Sequence, residues 1–274
     1  MAAAGRGVAV IGPGRAGRAR MRALEASPRA RLAAVVGRGD PLAPVLADPG
    51  IEAVIVCTPN ALHAAATHSA LAAGKHVAVE FPLAATADEA RVLFRAAAGA
   101  SLVLHEEHIE LLSPSQAALR ARAREVGRPR SGRVRFSGDS WGWIGDPALA
   151  GSAPLCALAR LHRLVDLFGS AEVRRARVDD GALRRLEVEL GFAGDGTVTL
   201  VEERGPGLPR ETEWAIECER GRLDTPPAEP PGELFARDLE AFLDRIESGA
   251  ESYVSNERVL ELLELVGAIE RRLC

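Results

Sequence analysis

Apolar residues fall along this chain in two rhythms. In the first hundred residues, short unbroken apolar runs alternate with stretches in which apolar residues recur every three to four positions. The runs predict strands at Gly7–Ile11, Arg31–Val36, Ile51–Cys57, His76–Glu80 and Leu102–His105. The periodic stretches predict helices at Ala16–Ala26, Leu62–Ala73 and Ala87–Ala98, the second closed by Gly74. Strand–helix alternation of this kind implies a parallel sheet covered on both faces.

After about residue 107 the rhythm changes to every second residue. Strands are predicted at Arg133–Ser137, Glu172–Val178, Arg185–Phe192, Thr197–Arg204 and Glu213–Glu219, with a stub at Arg222-Leu223. Their alternation of apolar and charged residues suits half-exposed antiparallel strands, and GDGT at 194–197 is a hairpin turn signal. Helices at Pro114–Val126 and Leu155–Phe168 interrupt the series. TPPAEPPGE at 225–233 is a proline-rich connector, and amphipathic helices near Leu234–Glu247 and Asn256–Leu273 close the chain.

Composition removes several function classes. With 47% apolar and 26% charged residues over 274 positions, the chain is an ordinary globular one. A net charge of -4 supplies no basic field for nucleic acid. No apolar run approaches the roughly 20 residues of a membrane span, and MAAAGRGVAVIG is too short and too glycine-broken for a signal peptide. Cys57, Cys156, Cys218 and Cys274 are scattered without CxxC spacing, which argues against zinc or a disulfide framework and suits a reducing cytoplasm. No metal site is expected; His105 and His108 are read as core residues.

VAVIGPGRAG at 8–17 is a strand running into Gly12-x-Gly14-x-x-Gly17 and then a helix. Gly12 permits the tight turn, Gly14 lets a pyrophosphate approach the backbone, and Gly17 lets the helix pack close to the sheet with its N-terminus aimed at the phosphates. Gly12, Pro13, Gly14, Arg15, Ala16 and Gly17 are therefore assigned to a dinucleotide. The next strand ends in VVGRGD, where an NAD site usually places an acid for the ribose. Arg38 at that tip suits a 2′-phosphate, which favours NADPH, although NADH stays possible because Asp40 is within reach of a ribose. CTPNALH at 57–63 follows the third strand and is expected under the nicotinamide half, with Cys57, Thr58, Pro59, Asn60 and His63 as cofactor-site residues and Asn60 able to cap the next helix. Glu80, at a strand end, joins them.

The fold class that follows is α/β: an N-terminal Rossmann domain over residues 1–108 and a C-terminal α+β domain over 109–274 with a mostly antiparallel sheet, the last helices being able to pack back on the first domain.

IGPGRAG, CTPNALH, AGKHVAVEFPL and SGAESYVSNERVLELLELVGAI, in that order, resemble the glucose-fructose oxidoreductase/inositol dehydrogenase superfamily. Most members carry Glu-Lys-Pro at the corresponding strand end and Asp-x-x-x-His on a helix of the second domain, and use the lysine and histidine to move a proton at a sugar hydroxyl. This chain has Phe81 in place of the lysine, and PLCALARLHRLVDLFG at 154–169 lacks the acid and histidine at that spacing. LHEEHIELL at 104–112, ARLHRLVDLFG at 159–169 and VEERGPGLPR at 201–210 are similar to the biliverdin reductase A family, whose strand-end triplet is usually Glu-Tyr-Pro.

That resemblance implies NADPH-dependent hydride delivery to the central methine carbon of biliverdin, a flat conjugated tetrapyrrole bearing two propionates, by a monomeric enzyme. Such a substrate wants an apolar slot, cations at its rim and one proton source. Phe81 and Pro82 are the candidates for the slot. Arg160 is a candidate to bind a propionate, to stabilise charge or to orient a proton-donating water; Arg204 and Arg210 are rim candidates. Glu107 and Glu110 of HEEHIE are the candidate acids, since a buried carboxyl with a raised pKa can protonate nitrogen. Two alternatives stay open: a sugar or dihydrodiol dehydrogenase of the same superfamily, and a non-catalytic cofactor-binding regulator.

Overall fold

A computed structural model describes residues 5–181, 183–227 and 233–273. Cys274 and the centre of the proline-rich connector, 228–232, lie outside the described residues. The chain forms two compact units, Met1–Ile109 with Glu233–Leu260 and Glu110–Gly232 with Glu261–Cys274. The division is not a single cut near residue 108, because the chain returns to the first unit at Glu233.

The first unit is a five-stranded parallel sheet of β1 (Arg6–Ile11), β2 (Ala30–Val36), β3 (Ala53–Val56), β4 (His76–Val79) and β5 (Leu104–Glu106), in the order β2-β1-β3-β4-β5. Helices α1 (Arg15–Ala26), α2 (Ala43–Ala47), α3 (His63–Ala72) and α4 (Ala87–Gly99) connect the strands. The short α2 has no counterpart in the sequence reading, as five residues are too few to show a period. All four residues of β3 are buried, as its unbroken apolar run requires. Val8, Val10 and Ile55 pack with Leu24 of α1 and with Leu239, Phe242 and Leu243 of a helix supplied by the returning segment.

That helix is one of the pair that ends the chain; its position in the first unit is set by charge as well as by apolar burial. Asp238 is fully buried and accepts from Arg20 Nη1 at 2.5 Å, His105 Nε2 at 2.9 Å and the Tyr253 hydroxyl. Burial pushes its carboxyl up, but Arg20 and His105 beside it more than offset this and hold it well below the usual carboxylate range. Arg20 is itself 1% exposed and also donates from Nε to Glu80 Oε1 at 2.8 Å.

The second unit holds α5 (Pro114–Val126), β6 (Pro129–Gly138), α6 (Pro147–Ala150), α7 (Ala153–Cys156), α8 (Leu158–Phe168), β7 (Glu172–Asp180), β8 (Arg184–Gly191), β9 (Thr197–Arg204), β10 (Glu211–Cys218) and β11 (Gly221–Asp224). The helix of the first unit just described is α9 (Leu234–Ser248), and α10 (Asn256–Leu273) ends the described chain. Six strands form one sheet in the order β11-β10-β6-β9-β8-β7, and every pairing is antiparallel except β6 with β9. Val134, Phe136, Leu186, Val188, Leu190 and Leu200 are buried on one face. The other face carries an ion-pair row in which Glu203 takes Arg135 at 2.7 Å on one oxygen and Arg185 on the other.

The predicted helix at Leu155–Phe168 is in fact two. Arg160 donates its backbone N–H to Ala157 O at 2.9 Å, and its own guanidinium takes the Cys156 carbonyl, so the regular bond four residues back is replaced and the helix restarts at Leu158.

Removing one partner of a buried ion pair strands the other, at a cost of about 3–5 kcal/mol. Asp238→Ala should therefore destabilise the first unit by about that amount, against about 1 kcal/mol or less for an exposed partner such as Asp88 of the Arg91 pair, as read from denaturant melts.

Candidate active site

The nucleotide turn is built by β1 and α1. Gly12 has φ +93°, and a Cβ there would lie 2.5 Å from Cys57 O; a Cβ on Gly17 would lie 2.1 Å from Gly12 O. Both glycines are thus demanded by the protein's own packing. Gly14 is different, because a Cβ there would meet no protein atom within 4 Å. Its bare backbone is left open by the protein itself. Gly14 is the N-cap of α1, which has no side-chain cap and no acid in its first turn, an arrangement of N–H groups that suits an anion. Arg18 closes the loop by donating to Pro13 O at 3.1 Å. Arg15 and Ala16 open α1 beside Gly17.

Arg38 is exposed on the turn after β2, and Asp40 spends Oδ2 on Gly37 N at 2.8 Å. The acid near the ribose position is therefore a turn-former, and Arg38 is the group at the tip with charge to offer. At the end of β3, Cys57 donates its N–H to Ile11 O, and burial, then the Glu80 charge, push its thiol up. Thr58 Oγ1 is buried without a hydrogen-bond partner, the sort of orphan that a bound polar group would satisfy. Pro59 precedes a 3-10 turn at Asn60–Leu62, and Asn60 does not cap α3, whose N-cap is Leu62 with no side-chain cap bond. His63 is 1% exposed with its ring nitrogens 2.8 Å from Pro82 O and 2.7 Å from Thr58 O. Both ring nitrogens lie against backbone carbonyls, so His63 ties the turn at Thr58 to the turn at Pro82. Glu80 likewise is engaged by Arg20.

At the end of β4 the Phe81–Pro82 peptide is cis. Phe81 is half-buried, whereas Pro82 is buried, so Phe81 alone of the two presents surface. Glu107, just past β5, is 1% exposed; Oε1 accepts from Ile109 N at 2.7 Å, and Oε2 is buried without a partner. Burial, reinforced by the Glu80 charge and only partly countered by Arg20, pushes this carboxyl well above the usual range. His105 and His108 face different carboxylates, Asp238 and Glu106, and form no shared ligand pair. The chain's one lysine, Lys75, is buried with Nζ donating to Asp48 O and Ile51 O.

In the second unit the arginines converge on one ring. The guanidinium carbons of Arg160, Arg204 and Arg210 lie 4.2, 4.9 and 5.4 Å from the Phe136 centroid. Arg160 is 2% exposed and grips Glu202 through Nε and Nη2 at 2.8–3.0 Å, while Arg204 Nε donates to the same carboxylate at 2.8 Å. Arg160 is therefore a buried, carboxylate-paired group and no rim arginine. Burial alone would ease its proton off, but Glu202 and then Glu110 hold it firmly charged. Arg210 is the exposed member and pairs with Glu110 at 2.8 Å. Burial raises Glu110, but Arg160, Arg210 and Arg163 outweigh it and hold the carboxyl below its usual range. Arg163 adds a fourth cation, 5.0 Å over Trp214 and tied to Gln116 Oε1 at 2.7 Å. Arg160, Arg163 and Arg210 all act on Glu110, and Arg160 and Arg204 share Glu202.

Residues 6–108 match the oxidoreductase family with an NAD-binding Rossmann fold, and residues 127–230 match the catalytic domain of biliverdin reductase. Biliverdin reductase A of Mus musculus is 30% identical over 97% of this chain and 95% of its own length. The chain belongs to the biliverdin reductase family. The Homo sapiens biliverdin reductase A is 28% identical over 98% of this chain and 96% of its own. A crystal structure of biliverdin reductase from Synechocystis sp. PCC 6803, in complex with biliverdin and NADP+, shares the fold with a TM-score of 0.86 at 23% identity, covering 98% of this chain and 99% of that one. As a biliverdin reductase family member the protein is an NAD(P)H-dependent oxidoreductase with an NAD(P)-binding Rossmann domain.

Sequence reasoning missed Phe136, Glu202 and Arg163. The signal for Phe136 was its inward parity beside Val134 on β6; Arg163, three residues from Arg160, shares a helix face with it. Glu202 had no such signal, since a charge at an inward position reads as a break in the pattern until its partners are known.

Arg38→Ala should weaken NADPH by about ten- to hundredfold and leave NADH within about twofold, the loss of one charge-assisted contact; equal losses for both would remove Arg38 from the phosphate role. For Glu107 the sign follows from its raised pKa. Above the ordinary carboxylate value the folded protein keeps a proton that the unfolded chain has lost, so stability falls as pH rises towards the folded pKa. Glu107→Gln should flatten that decline in urea melts run upward in pH from the ordinary carboxylate range.

Proposed function

We propose that this protein is a cytoplasmic, monomeric NADPH-dependent biliverdin reductase, which converts biliverdin to bilirubin in haem degradation. The observation that carries the reading is the gathering of Arg160, Arg204 and Arg210 around Phe136. Cations beside an apolar ring suit a flat conjugated ligand that carries carboxylates. The sugar-dehydrogenase alternative lacks its tools: Phe81 stands where the lysine would be, and Lys75 is committed to backbone carbonyls. The family relationship over nearly the whole chain supports the same conclusion. NADPH preference rests on Arg38, and the free thiols of Cys57, Cys156 and Cys218 suit a reducing compartment.

The Gly12–Gly17 turn and Arg38 would hold NADPH, whose chemistry there would be the supply of a hydride. Per turnover the pigment gains two electrons and two hydrogens, a hydride at the central methine carbon and a proton at a pyrrole nitrogen, and the cofactor is left oxidised. Phe81 offers a flat apolar neighbour that takes no part in proton transfer. Arg204 and Arg210 hold the propionates, and their charge and that of Arg160 behind them stabilise negative charge on the reduced pigment. Of the two carboxyls, Glu107, pushed up by burial, is the better suited to carry the proton, whereas Glu110, pulled down by its arginines, serves as the counter-ion of Arg210. Arg160, firmly charged, orients a water rather than giving up its own proton.

Mixing protein, NADPH and biliverdin should bleach the biliverdin band and raise that of bilirubin. Arg160→Ala should lower turnover on the order of 100-fold while NADPH affinity stays within about twofold. No turnover by the wild type, with NADPH still bound, would overturn the reading in favour of a cofactor-binding regulator.

A further inference from the structure

The turn Glu80–Leu83 carries the only ring at the end of β4, and each of its groups is held by a different element. Arg20 of α1 holds the Glu80 carboxylate, and the His63 ring of α3 meets Pro82 O. Leu83 N donates to Glu106 Oε1 at 2.5 Å. The second Glu106 oxygen, Oε2, lies 3.0 Å from His108 Nε2, and the His108 imidazole lies 6.0 Å from the Phe81 ring with only 8° between the planes. His108 is 3% exposed, and its backbone N–H donates to the Tyr253 hydroxyl at 2.8 Å, which in turn donates to Asp238. The imidazole is thus a plate fixed at its edge by Glu106 and at its backbone by Tyr253.

We infer that His108 is a positioning residue for the reaction, acting as a flat backing on which Phe81 is stacked. A half-buried phenyl ring at a strand end has two free torsions, and without a parallel neighbour it would sample several tilts. Offset stacking selects one. The face of Phe81 turned away from His108 is then presented in one orientation, as a planar conjugated ligand requires. Glu106 serves the stack from behind by fixing the imidazole in its own plane. The inference rests on the biliverdin reading for its consequence in catalysis but not for the stack itself.

Two substitutions separate the ring from its hydrogen bond. His108→Phe keeps a flat ring and loses the bond to Glu106; His108→Gln keeps a hydrogen bond and loses the ring. With biliverdin and NADPH, H108Q should lose about 10- to 100-fold in kcat with NADPH affinity within about twofold, and H108F should stay within about threefold of wild type in kcat. The reverse order, or two equal losses, would overturn the proposal, because the hydrogen bond or the bulk alone would then be what counts. A probe without pigment reads the stack directly: 4-fluorophenylalanine placed at position 81 should show one narrow fluorine resonance in wild type and H108F, displaced or broadened in H108Q. An unchanged resonance in H108Q would overturn the stack. If the wild type fails to reduce biliverdin while the fluorine result holds, the functional reading falls and the stack stands. Thermal melts of both variants identify any loss that is merely unfolding.

Discussion

One buried carboxylate holds the first unit in register. Asp238 has lost all its water, and a lone carboxylate in that position would not be tolerated. It persists because Arg20, His105 and Tyr253 donate to it together, from α1, β5 and the loop before α10. The same guanidinium that neutralises Asp238 reaches Glu80, so the helix that follows the glycine turn and the turn that presents Phe81 are fixed by a single side chain. A nucleotide turn and a strand-end turn that are far apart in sequence therefore cannot drift independently.

The second unit uses charge differently on its two faces. On the exposed face of its sheet, Glu203 sits between Arg135 and Arg185, which also reach Glu213 and Glu187. On the helix-covered face three guanidiniums gather around Phe136, two of them sharing Glu202 and the third paired with Glu110. Gathering like charges in a low-dielectric setting costs free energy, which those carboxylates offset.

HEEHIE shows how far environment alone can separate like residues. Glu107 and Glu110 are three positions apart and burial pushes on both in the same direction, yet one carboxyl is pushed up and the other held down. Glu107 has carboxylate neighbours and a single guanidinium; Glu110 faces three guanidiniums. Burial is common to both, so the sign is decided by which charges the fold brings near.

Local rules were sufficient for much of this protein. Apolar period placed ten of the eleven strands within a few residues of their observed bounds and showed β6 shortened at its start, where Pro129 and alternating charges hide the pairing. The Gly12, Gly14 and Gly17 spacing marked the nucleotide turn because steric need at a turn is a local property. What the linear chain left undecided was every role that depends on a distant partner. His63 lies with both ring nitrogens against carbonyls; Arg160, a candidate to bind a propionate, is the buried partner of Glu202; the helix around it breaks because its own guanidinium takes a backbone carbonyl. Asp238 read as one more polar position on an amphipathic helix. Sequence by itself determined the elements, the glycine turn and the absence of a lysine at position 81. Only tertiary structure decided which charges are buried, and against what, because the free energy of a charge belongs to its surroundings and those are assembled from residues a hundred or more positions apart.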